Sequence, residues 1–342
     1  MTRVATFGEI MLRLMPPGHD VLLQTPRFEA TFGGGEANVA VALSNLGVQS
    51  AFVSVFPDNS LGDACIRDLR SHGVNTSHIV RGGRRLGVYF VEKGANQRSS
   101  KVLYDRDFSS MAEIDRDAID WKNLFKNFSW FHTTGITPAI SKAAADASVD
   151  AVRAAKEAGL TVSLDLNYRK KLWKYGVAPV EVIGEMVQYA DVVIGNEEDY
   201  QECLGFTVDA DVESGKLAAE AYGRLIDEVR RKYGHLRHLA VTMRESRTAD
   251  HNGWSALLHD GETLYQSTKY EIADIVDRLG GGDSFSAGLI YGLTQLDSSK
   301  GALEFATAAS CLKHSLRGDF FRLSVSDVNA LMGGSGSGRV QR

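Results

Sequence analysis

The sequence predicts an α/β fold in which helices cover both faces of a mostly parallel sheet. Short runs rich in β-branched and aromatic residues occur at 4–7, 51–55, 130–132, 161–164, 192–194 and 239–242, as expected of buried strands. Segments with helical periodicity separate most of these runs, at 37–46, 142–158, 183–189 and 216–233. Because parallel strands require crossover helices, this alternation predicts the sheet and its two helical layers.

Composition and charge place the chain among ordinary globular enzymes. Its 342 residues are 44% hydrophobic and 24% charged, which excludes disordered and fibrous classes. The net charge of -5 gives no long-range attraction for nucleic acids or anionic membranes, so we expect neither as a partner. Three scattered cysteines, a strand pattern in place of a signal peptide and no apolar run of membrane-spanning length predict a cytoplasmic protein.

Two regions, 10–32 and 86–106, interrupt the alternation of strands and helices. They carry short alternating runs at 10–14, 28–32, 87–91 and 101–104, with no helix between the members of each pair. The pattern predicts a small sheet inserted into the main domain. It fits a lid over a binding site and an ordinary pair of edge hairpins equally well.

A triple glycine followed by an acidic residue stands at 277–285, which read DRLGGGDSF. Apolar residues recur at helical spacing after it, so we expect a helix to begin near Asp283. An anion would be bound by the backbone N–H groups of Gly280, Gly281 and Gly282 together with the helix N-terminus. An adjacent carboxylate can take the proton of an attacking hydroxyl. For the segment alone, a glycine-rich turn with Asp283 as a capping residue is the favoured interpretation.

A second glycine turn, GGGEAN at 33–38, also leads into a helix. Gly34 and Gly35 allow close approach to a polyhydroxylated ligand, and Asn38 can hydrogen-bond hydroxyls; the alternative is a tight strand-to-helix turn. Neither glycine turn fits the GxGxxG pattern, and GxxxxGK[ST] is absent from the sequence, so dinucleotide and Walker-type sites are disfavoured.

Polar residues follow two neighbouring predicted strands, as DLNYR at 165–169 and NEED at 196–199. The carboxyl ends of strands are where open α/β sheets bind ligands, which makes both segments candidate site residues. For NEED, a helix cap with acidic residues in the first turn is the structural alternative.

Together these segments resemble the PfkB, or ribokinase-like, family of carbohydrate kinases. The resemblance runs from residue 7 to about residue 331, and it includes both GGGEANVA at 33–40 and DRLGGGDSF in the family's order. It implies a ribokinase-like three-layer α/β/α domain over 1–332. A small β-sheet lid would be formed by about 10–32 and 86–106, and a flexible tail by 333–342.

Within that family the chain is most similar to 2-keto-3-deoxygluconate kinases, on YDR at 104–106, DLNYR and RGD at 317–319. Their substrate is a sugar acid. Because arginine presents a planar pair of N–H donors to a carboxylate, Arg106 and Arg169 are expected to bind the carboxylate of the substrate. Each arginine can instead form a structural ion pair, and Arg169 can contact a nucleotide phosphate.

The resemblance also implies roles for individual residues. The acceptor site would be lined by Gly34, Gly35, Asn38, Tyr89, Tyr104, Arg106, Arg169 and Asp319. The phosphoryl group would sit in an anion hole of Gly280, Gly281 and Gly282, with Asp283 as the base. ATP would contact Asn167, Asn196, Thr242, Arg244, Gly280 and Gly282. Mg²⁺ would be held through water by Asp199 and Glu198.

The chain departs from the family at two of these positions. The family usually has a glutamate where this chain has Asp199, and a Thr-Leu-Gly turn where this chain has Thr242-Met243-Arg244. We therefore expect altered nucleotide contacts, or simply a longer hairpin, after residue 242.

The expected function is ATP- and Mg²⁺-dependent phosphorylation of the 6-hydroxyl of 2-keto-3-deoxygluconate, in a homo-oligomer formed through the lid. One alternative is a PfkB kinase for a neutral sugar such as fructose, with Arg169 turned to the nucleotide. Another is a sugar-acid-binding regulator that keeps the fold without turnover.

Overall fold

The computed structural model describes residues 2–206 and 219–334. Its strands are β1 (Arg3–Phe7), β2 (Met11–Met15), β3 (Glu29–Gly33), β4 (Gln49–Phe56), β5 (Ile79–Arg81), β6 (Gly87–Glu92), β7 (Lys101–Asp105), β8 (Trp130–Thr134), β9 (Thr161–Asp165), β10 (Val192–Gly195), β11 (His238–Ser246), β12 (Asn252–His259), β13 (Leu264–Gln266) and β14 (Tyr270–Ile272).

The helices alternate with these strands over most of the chain. They are α1 (Gly35–Asn45), α2 (Ser60–Ser71), α3 (Trp121–Leu124), α4 (Ile136–Ala139), α5 (Lys142–Glu157), α6 (Pro179–Val187), α7 (Glu197–Leu204), α8 (Ala219–Lys232), α9 (Gly281–Gln295), α10 (Ser299–Lys313) and α11 (Val325–Met332).

The large sheet has the strand order β13-β12-β11-β10-β9-β8-β1-β4-β5. From β11 to β5 every neighbouring pair is parallel, whereas β12 runs antiparallel to β11, β13 and β14. The predicted mostly parallel sheet is therefore confirmed. Its parallel strands end at one edge, which collects the loops after β9, β10 and β11.

Helices cover both faces of this sheet, because its central strands are apolar on both sides. On one face Phe131 and Leu164 lie in a buried cluster with residues of α5, α6 and α8. On the other, Phe285 and Phe305 from α9 and α10 join residues of α1. The predicted three-layer arrangement is thus confirmed, and it anchors the first turns of α1 and α9 at the ligand-binding edge.

A second, four-stranded sheet has the order β3-β2-β6-β7. The pairs β2/β3 and β6/β7 are antiparallel, and β2 pairs with β6 in parallel. These strands are the four short runs that the sequence predicts at 10–32 and 86–106, so the small sheet is confirmed. Its action as a lid stays a prediction.

Several elements differ from the sequence-based expectations. The helix expected near Asp283 begins two residues earlier, at Gly281, and the strand expected at 239–242 extends to Ser246 as half of a long hairpin with β12. The first residues of the helix predicted at 216–233, and residues 335–342 of the predicted tail, lie outside the described residues.

No helix within residues 2–206 and 219–334 combines the length and the apolar character needed to span a membrane.

Candidate functional site

Asp283 stands in the first turn of α9, behind the glycine turn. Its side chain is only 8% exposed, and its Oδ2 accepts a hydrogen bond of 2.6 Å from Asn38 Nδ2. Asn38 Oδ1 in turn accepts from the backbone N–H of Gly34 at 3.2 Å. The two glycine motifs of the sequence, which the chain separates widely, therefore meet at this carboxylate.

The environment of Asp283 changes its acidity. Burial raises its pKa to about 6, while the hydrogen bond from Asn38 acts in the opposite direction. A base is most effective when its pKa lies close to the working pH. Asp283 is thus largely ionised at neutral pH and still basic enough to accept a proton from a hydroxyl in a transition state.

The glycine turn has a conformation that only glycine adopts without strain. Gly280 has φ of 82°, and a Cβ atom built there would lie 2.1 Å from the carbonyl oxygen of Asp319. The turn delivers the N-terminus of the 15-residue helix α9 to the site. Backbone N–H groups and the positive end of the helix dipole make this point a seat for an anion.

A cleft of about 590 Å³ opens in front of this turn. It lies at the carboxyl ends of β9, β10 and β11, as the sequence predicts for a ligand site. The cleft brings together the predicted nucleotide, metal and catalytic residues, which are Asn167, Asn196, Glu198, Asp199, Thr242, Arg244, Gly280, Gly281, Gly282 and Asp283, and it also contains Arg169, which was predicted to bind the acceptor.

Sequence reasoning assigned no role to several further residues that line this cleft, among them Arg278 and Trp254. Arg278 lies within the DRLGGGD motif. Its position two residues before the glycine turn is the sequence feature that could have indicated a site residue. With Arg169 and Arg244 it makes three arginines along one cleft, which suits a ligand with several phosphate groups.

Asp199 is held by backbone groups. Its Oδ1 accepts from the N–H of Tyr168 at 2.7 Å, and its Oδ2 accepts from the N–H of Asn196 at 2.8 Å. Asn196 Oδ1 accepts from the N–H of Asp199, so the pair forms the helix cap that was the structural alternative. Burial nevertheless raises the pKa of Asp199 to about 6, since these bonds only partly offset it.

The carboxylates near the cleft do not form a direct metal cage. Within residues 2–206 and 219–334, no group of three or more His, Cys, Asp or Glu side chains is arranged to hold a metal ion. Glu198 is exposed at the cleft, and each oxygen of Asp199 already accepts one backbone N–H. This donor set suits a hydrated Mg²⁺ bound through water, and the metal assignment stays a prediction.

The predicted acceptor residues lie in the first glycine turn, in the small sheet and beside it. A Cβ atom built on Gly35 would lie 3.6 Å from Asp283 Oδ1, and one on Gly33 would meet Tyr89 and Asp319. Tyr89 and Tyr104 face each other across β6 and β7 with their rings stacked 6.2 Å apart. Gly35 therefore adjoins Asp283, Tyr89 and Asp319 lie together against Gly33, and the acceptor role of these residues stays a prediction.

Arg106 is engaged by a partner within the chain. It is buried, its Nε donates to Glu9 Oε2 at 2.7 Å, and its Nη2 also contacts that oxygen. Ser109 Oγ donates to the other oxygen of Glu9. The structural ion pair that sequence analysis left open for Arg106 is thus present, and its acceptor role stays a prediction.

Arg169 and Asp319 also have defined surroundings. Arg169 is exposed in the cleft, and its Nη1 donates to the carbonyl oxygen of Tyr168 at 2.7 Å. This placement suits a nucleotide phosphate as well as a sugar carboxylate. Asp319 is paired with Arg13, a residue that sequence analysis did not single out. Arg13 lies two residues after Met11 on β2, so both side chains point to the same buried face. An arginine at such a position is the sequence feature that could have drawn attention to it.

Glu36, in the first turn of α1, is a titratable group that sequence reasoning also overlooked. It is fully buried, and its Oε1 accepts from the hydroxyls of Thr134 and Thr137 at 2.8 Å each. Burial raises the pKa of Glu36 to about 7, against the lowering effect of these hydrogen bonds. It fixes α1 against the ends of β1 and β8.

A three-layer α/β domain with a second small sheet, and a buried carboxylate where two glycine turns meet, are features of ribokinase-like sugar kinases. Residues 1–321 match the pfkB family carbohydrate kinases. The chain belongs to that family.

Relatives extend over essentially the whole chain. The crystal structure of a 2-dehydro-3-deoxygluconokinase from Thermotoga maritima has 44% sequence identity and a TM-score of 0.92, over 98% of this chain and 100% of that chain. That of a PfkB family carbohydrate kinase from Listeria grayi has 30% identity and a TM-score of 0.88, over 97% and 100%. A 2-dehydro-3-deoxygalactonokinase from Haloferax volcanii is 32% identical over 98% of both chains.

Replacing Gly280 by alanine tests the strained turn. The left-handed backbone costs a residue with a Cβ about 1–2 kcal/mol, and the contact with Asp319 adds to that. We expect Gly280→Ala to lower the free energy of unfolding by at least about 2 kcal/mol. Gly282→Ala is the control, because a Cβ there meets nothing within 4 Å. Equal urea midpoints for the two variants would contradict the assignment.

Proposed function

We propose that this protein transfers the γ-phosphoryl group of ATP to the 6-hydroxyl of 2-keto-3-deoxygluconate, also called 2-dehydro-3-deoxygluconate. The observation that carries the proposal is the position of Asp283. A buried carboxylate with a pKa near 6 stands in the first turn of α9 and adjoins Gly35 of the first glycine turn. A base beside an anion-binding helix N-terminus and beside the proposed acceptor residues is what hydroxyl phosphorylation requires.

The proposed reaction is a single in-line displacement. Asp283 accepts the proton of the 6-hydroxyl as that oxygen attacks the γ-phosphorus atom. The bond from the γ-phosphorus to the oxygen bridging it to the β-phosphate breaks, and ADP leaves. The N–H groups at Gly280–Gly282 donate to the equatorial phosphoryl oxygens, whose charge spreads in the transition state. The products are ADP, the 6-phosphate ester and a proton.

The cleft in front of the glycine turn is the proposed site for ATP. Its volume of about 590 Å³ is in the range of small-molecule sites. Arg244 and Arg278 would neutralise phosphate charge there. Glu198 and Asp199 would hold Mg²⁺ through water, and the ion would add further neutralisation at the phosphates.

The sugar-acid assignment rests on relatives and on charge. Chains 44% and 32% identical to this one bear the names 2-dehydro-3-deoxygluconokinase and 2-dehydro-3-deoxygalactonokinase. In this chain, Arg106 and Arg169 are the arginines available for a substrate carboxylate. Arg106 already contacts Glu9 through Nε and Nη2, so a substrate carboxylate would share this guanidinium with Glu9.

The ion pair of Glu9 with Arg106 favours a neutral sugar as the second candidate. It already balances the charge of Arg106, so an acceptor carboxylate would depend more heavily on Arg169. A kinase for fructose would need no such cation, and Arg169 would then serve the nucleotide.

We also propose a homo-oligomer that buries the outer face of the small sheet. Leu23, Leu103 and Phe108, on or beside that sheet, are 77%, 54% and 66% exposed. Exposed apolar side chains close together often mark an interface between chains.

Removal of the proposed base tests the role of Asp283. Asp283→Asn keeps the shape of the side chain and removes its ability to accept a proton, so kcat should fall by roughly 10²- to 10⁴-fold. Asp297→Asn, at an exposed aspartate of the same type, should leave kcat unchanged. Circular dichroism should show both variants folded. A kcat for Asp283→Asn within about tenfold of the unmodified protein would contradict the role of Asp283 as the base.

A substrate comparison tests the acceptor. Charge-assisted hydrogen bonds are each worth about 1.5–3 kcal/mol, so kcat/KM for 2-keto-3-deoxygluconate should exceed that for fructose by at least about tenfold. Release of ADP is followed in a coupled assay, with 2-keto-3-deoxygalactonate as the epimer control. Preference for fructose would support the neutral-sugar kinase, and no ADP release with any sugar would support a regulator without turnover.

A further inference from the structure

Arg13 is a buried arginine carried by the small sheet. It lies on β2 and is only 1% exposed. Its Nη1 donates to Asp319 Oδ1 at 2.5 Å, and its Nη2 donates to Asp277 Oδ2 at 2.5 Å. One guanidinium thus bridges two carboxylates from separate segments of the main domain. Burying any of these charges alone would be very unfavourable, so the three groups depend on one another.

Asp277 connects this bridge to the anion seat. Its Oδ1 accepts from the N–H of Leu279 at 3.1 Å, one residue before Gly280. Its Oδ2 also accepts from the N–H of Gly318 at 3.2 Å. The carboxylate therefore fixes the backbone that enters the glycine turn, and joins it to the segment that carries Asp319.

Asp319 connects the bridge to the acceptor side. A Cβ atom on Gly33 would lie 2.6 Å from its carboxylate, so this side chain borders the first glycine turn. Its backbone carbonyl oxygen lies against Gly280, where a Cβ atom would come within 2.1 Å. The first glycine turn and the glycine turn at Gly280 are consequently joined through this one residue.

Lys313 is a second cation beside the two carboxylates. It is fully buried at the end of α10, with its Cε 3.2 Å from the position of a Cβ on Gly280 and its Nζ donating to the carbonyl oxygen of Leu316 at 3.3 Å. Two cations then face two carboxylates beneath the glycine turn. Loss of Arg13 alone would leave an excess negative charge next to the place where the phosphoryl group must bind.

A second connection joins the small sheet to the same segment. The hairpin between β6 and β7 contacts the loop after β11, because the N–H of Asn96 donates to Asp250 Oδ2 and the N–H of Ala249 donates to the carbonyl oxygen of Asn96, each at 3.0 Å. Arg278 Nη2 donates to the carbonyl oxygen of Ala249 at 2.5 Å. Asp277 and Arg278, adjacent in sequence, are thus both tied to the small sheet.

We propose that Arg13 is a positioning residue for phosphoryl transfer. Its guanidinium, carried by the small sheet, holds the acceptor-side carboxylate of Asp319 and the start of the glycine turn at Asp277 in one fixed arrangement. The part that concerns the acceptor rests on the function proposed above. The part that concerns the glycine turn depends only on the contacts of this chain.

The kinetic test compares Arg13→Met and Arg13→Lys with Arg116→Met. Arg116 pairs with Asp150 at the surface, so its loss controls for removal of an arginine. Small misplacements of reacting groups cost on the order of 10²-fold in rate. We expect Arg13→Met to lower kcat/KM for the acceptor by about that factor and to raise the acceptor KM more than the ATP KM. Arg13→Lys should recover part of the loss, and Arg116→Met should match the unmodified enzyme.

Hydrogen–deuterium exchange in the free protein provides a measurement that is independent of substrate. Arg13→Lys should speed exchange in peptides covering 277–282 and 316–320, and leave peptides from β8 and β9 unchanged. If Arg13→Met fails to fold, Arg13→Lys alone decides the kinetic test.

Two results would overturn the proposal: an unchanged acceptor KM and kcat in Arg13→Lys, or faster hydrogen–deuterium exchange spread evenly over the chain. Either result would mean that Arg13 only stabilises the fold in general. If the unmodified protein does not phosphorylate the sugar acid, the proposed function fails, and the exchange pattern still decides whether Arg13 positions the glycine turn.

Discussion

The site depends on keeping one carboxylate buried without neutralising it. Removal from water raises the pKa of Asp283, and the amide of Asn38 with the N-terminus of α9 supplies the positive potential that keeps it ionised at neutral pH. Both partners are delivered by glycine turns that lead into α1 and α9, which pack together on one face of the large sheet. The ionisation of Asp283 therefore depends on the large sheet, which brings the first turns of α1 and α9 to the same edge.

Charged groups around Asp283 divide into two kinds. In the cleft in front of the glycine turn, Arg169, Arg244 and Arg278 line open space and can meet phosphate groups. Toward the small sheet, Arg13 and Arg106 are buried and paired with carboxylates of the chain itself. Buried pairs contribute little net stability because desolvation offsets their attraction. Their effect here is to fix the geometry around the acceptor, so that little reorganisation is needed during the reaction.

Sequence reasoning succeeded where the signal was local. Strand and helix periodicities, and the glycine turns that end in Asn38 and Asp283, are patterns within about ten residues, and they placed most of the sheet and the cleft. The partners of Arg13 lie 264 and 306 positions away in the chain, so no local pattern could reveal the bridge. Asp199 shows a different limit, because a helix cap and a water-mediated metal contact require the same residue at the same position.

The pH dependence of kcat/KM for the acceptor tests the central claim most directly, since it reports the ionisation of the free enzyme. Because the base must be ionised, activity should fall as pH drops through about 6, the pKa of Asp283. Burial also raises the pKa of Asp199 to about 6, so Asp199→Asn should retain this acid limb, whereas the residual activity of Asp283→Asn should lose it. A profile that is flat from roughly pH 5 to 8, or an acid limb that persists in Asp283→Asn, would contradict the account.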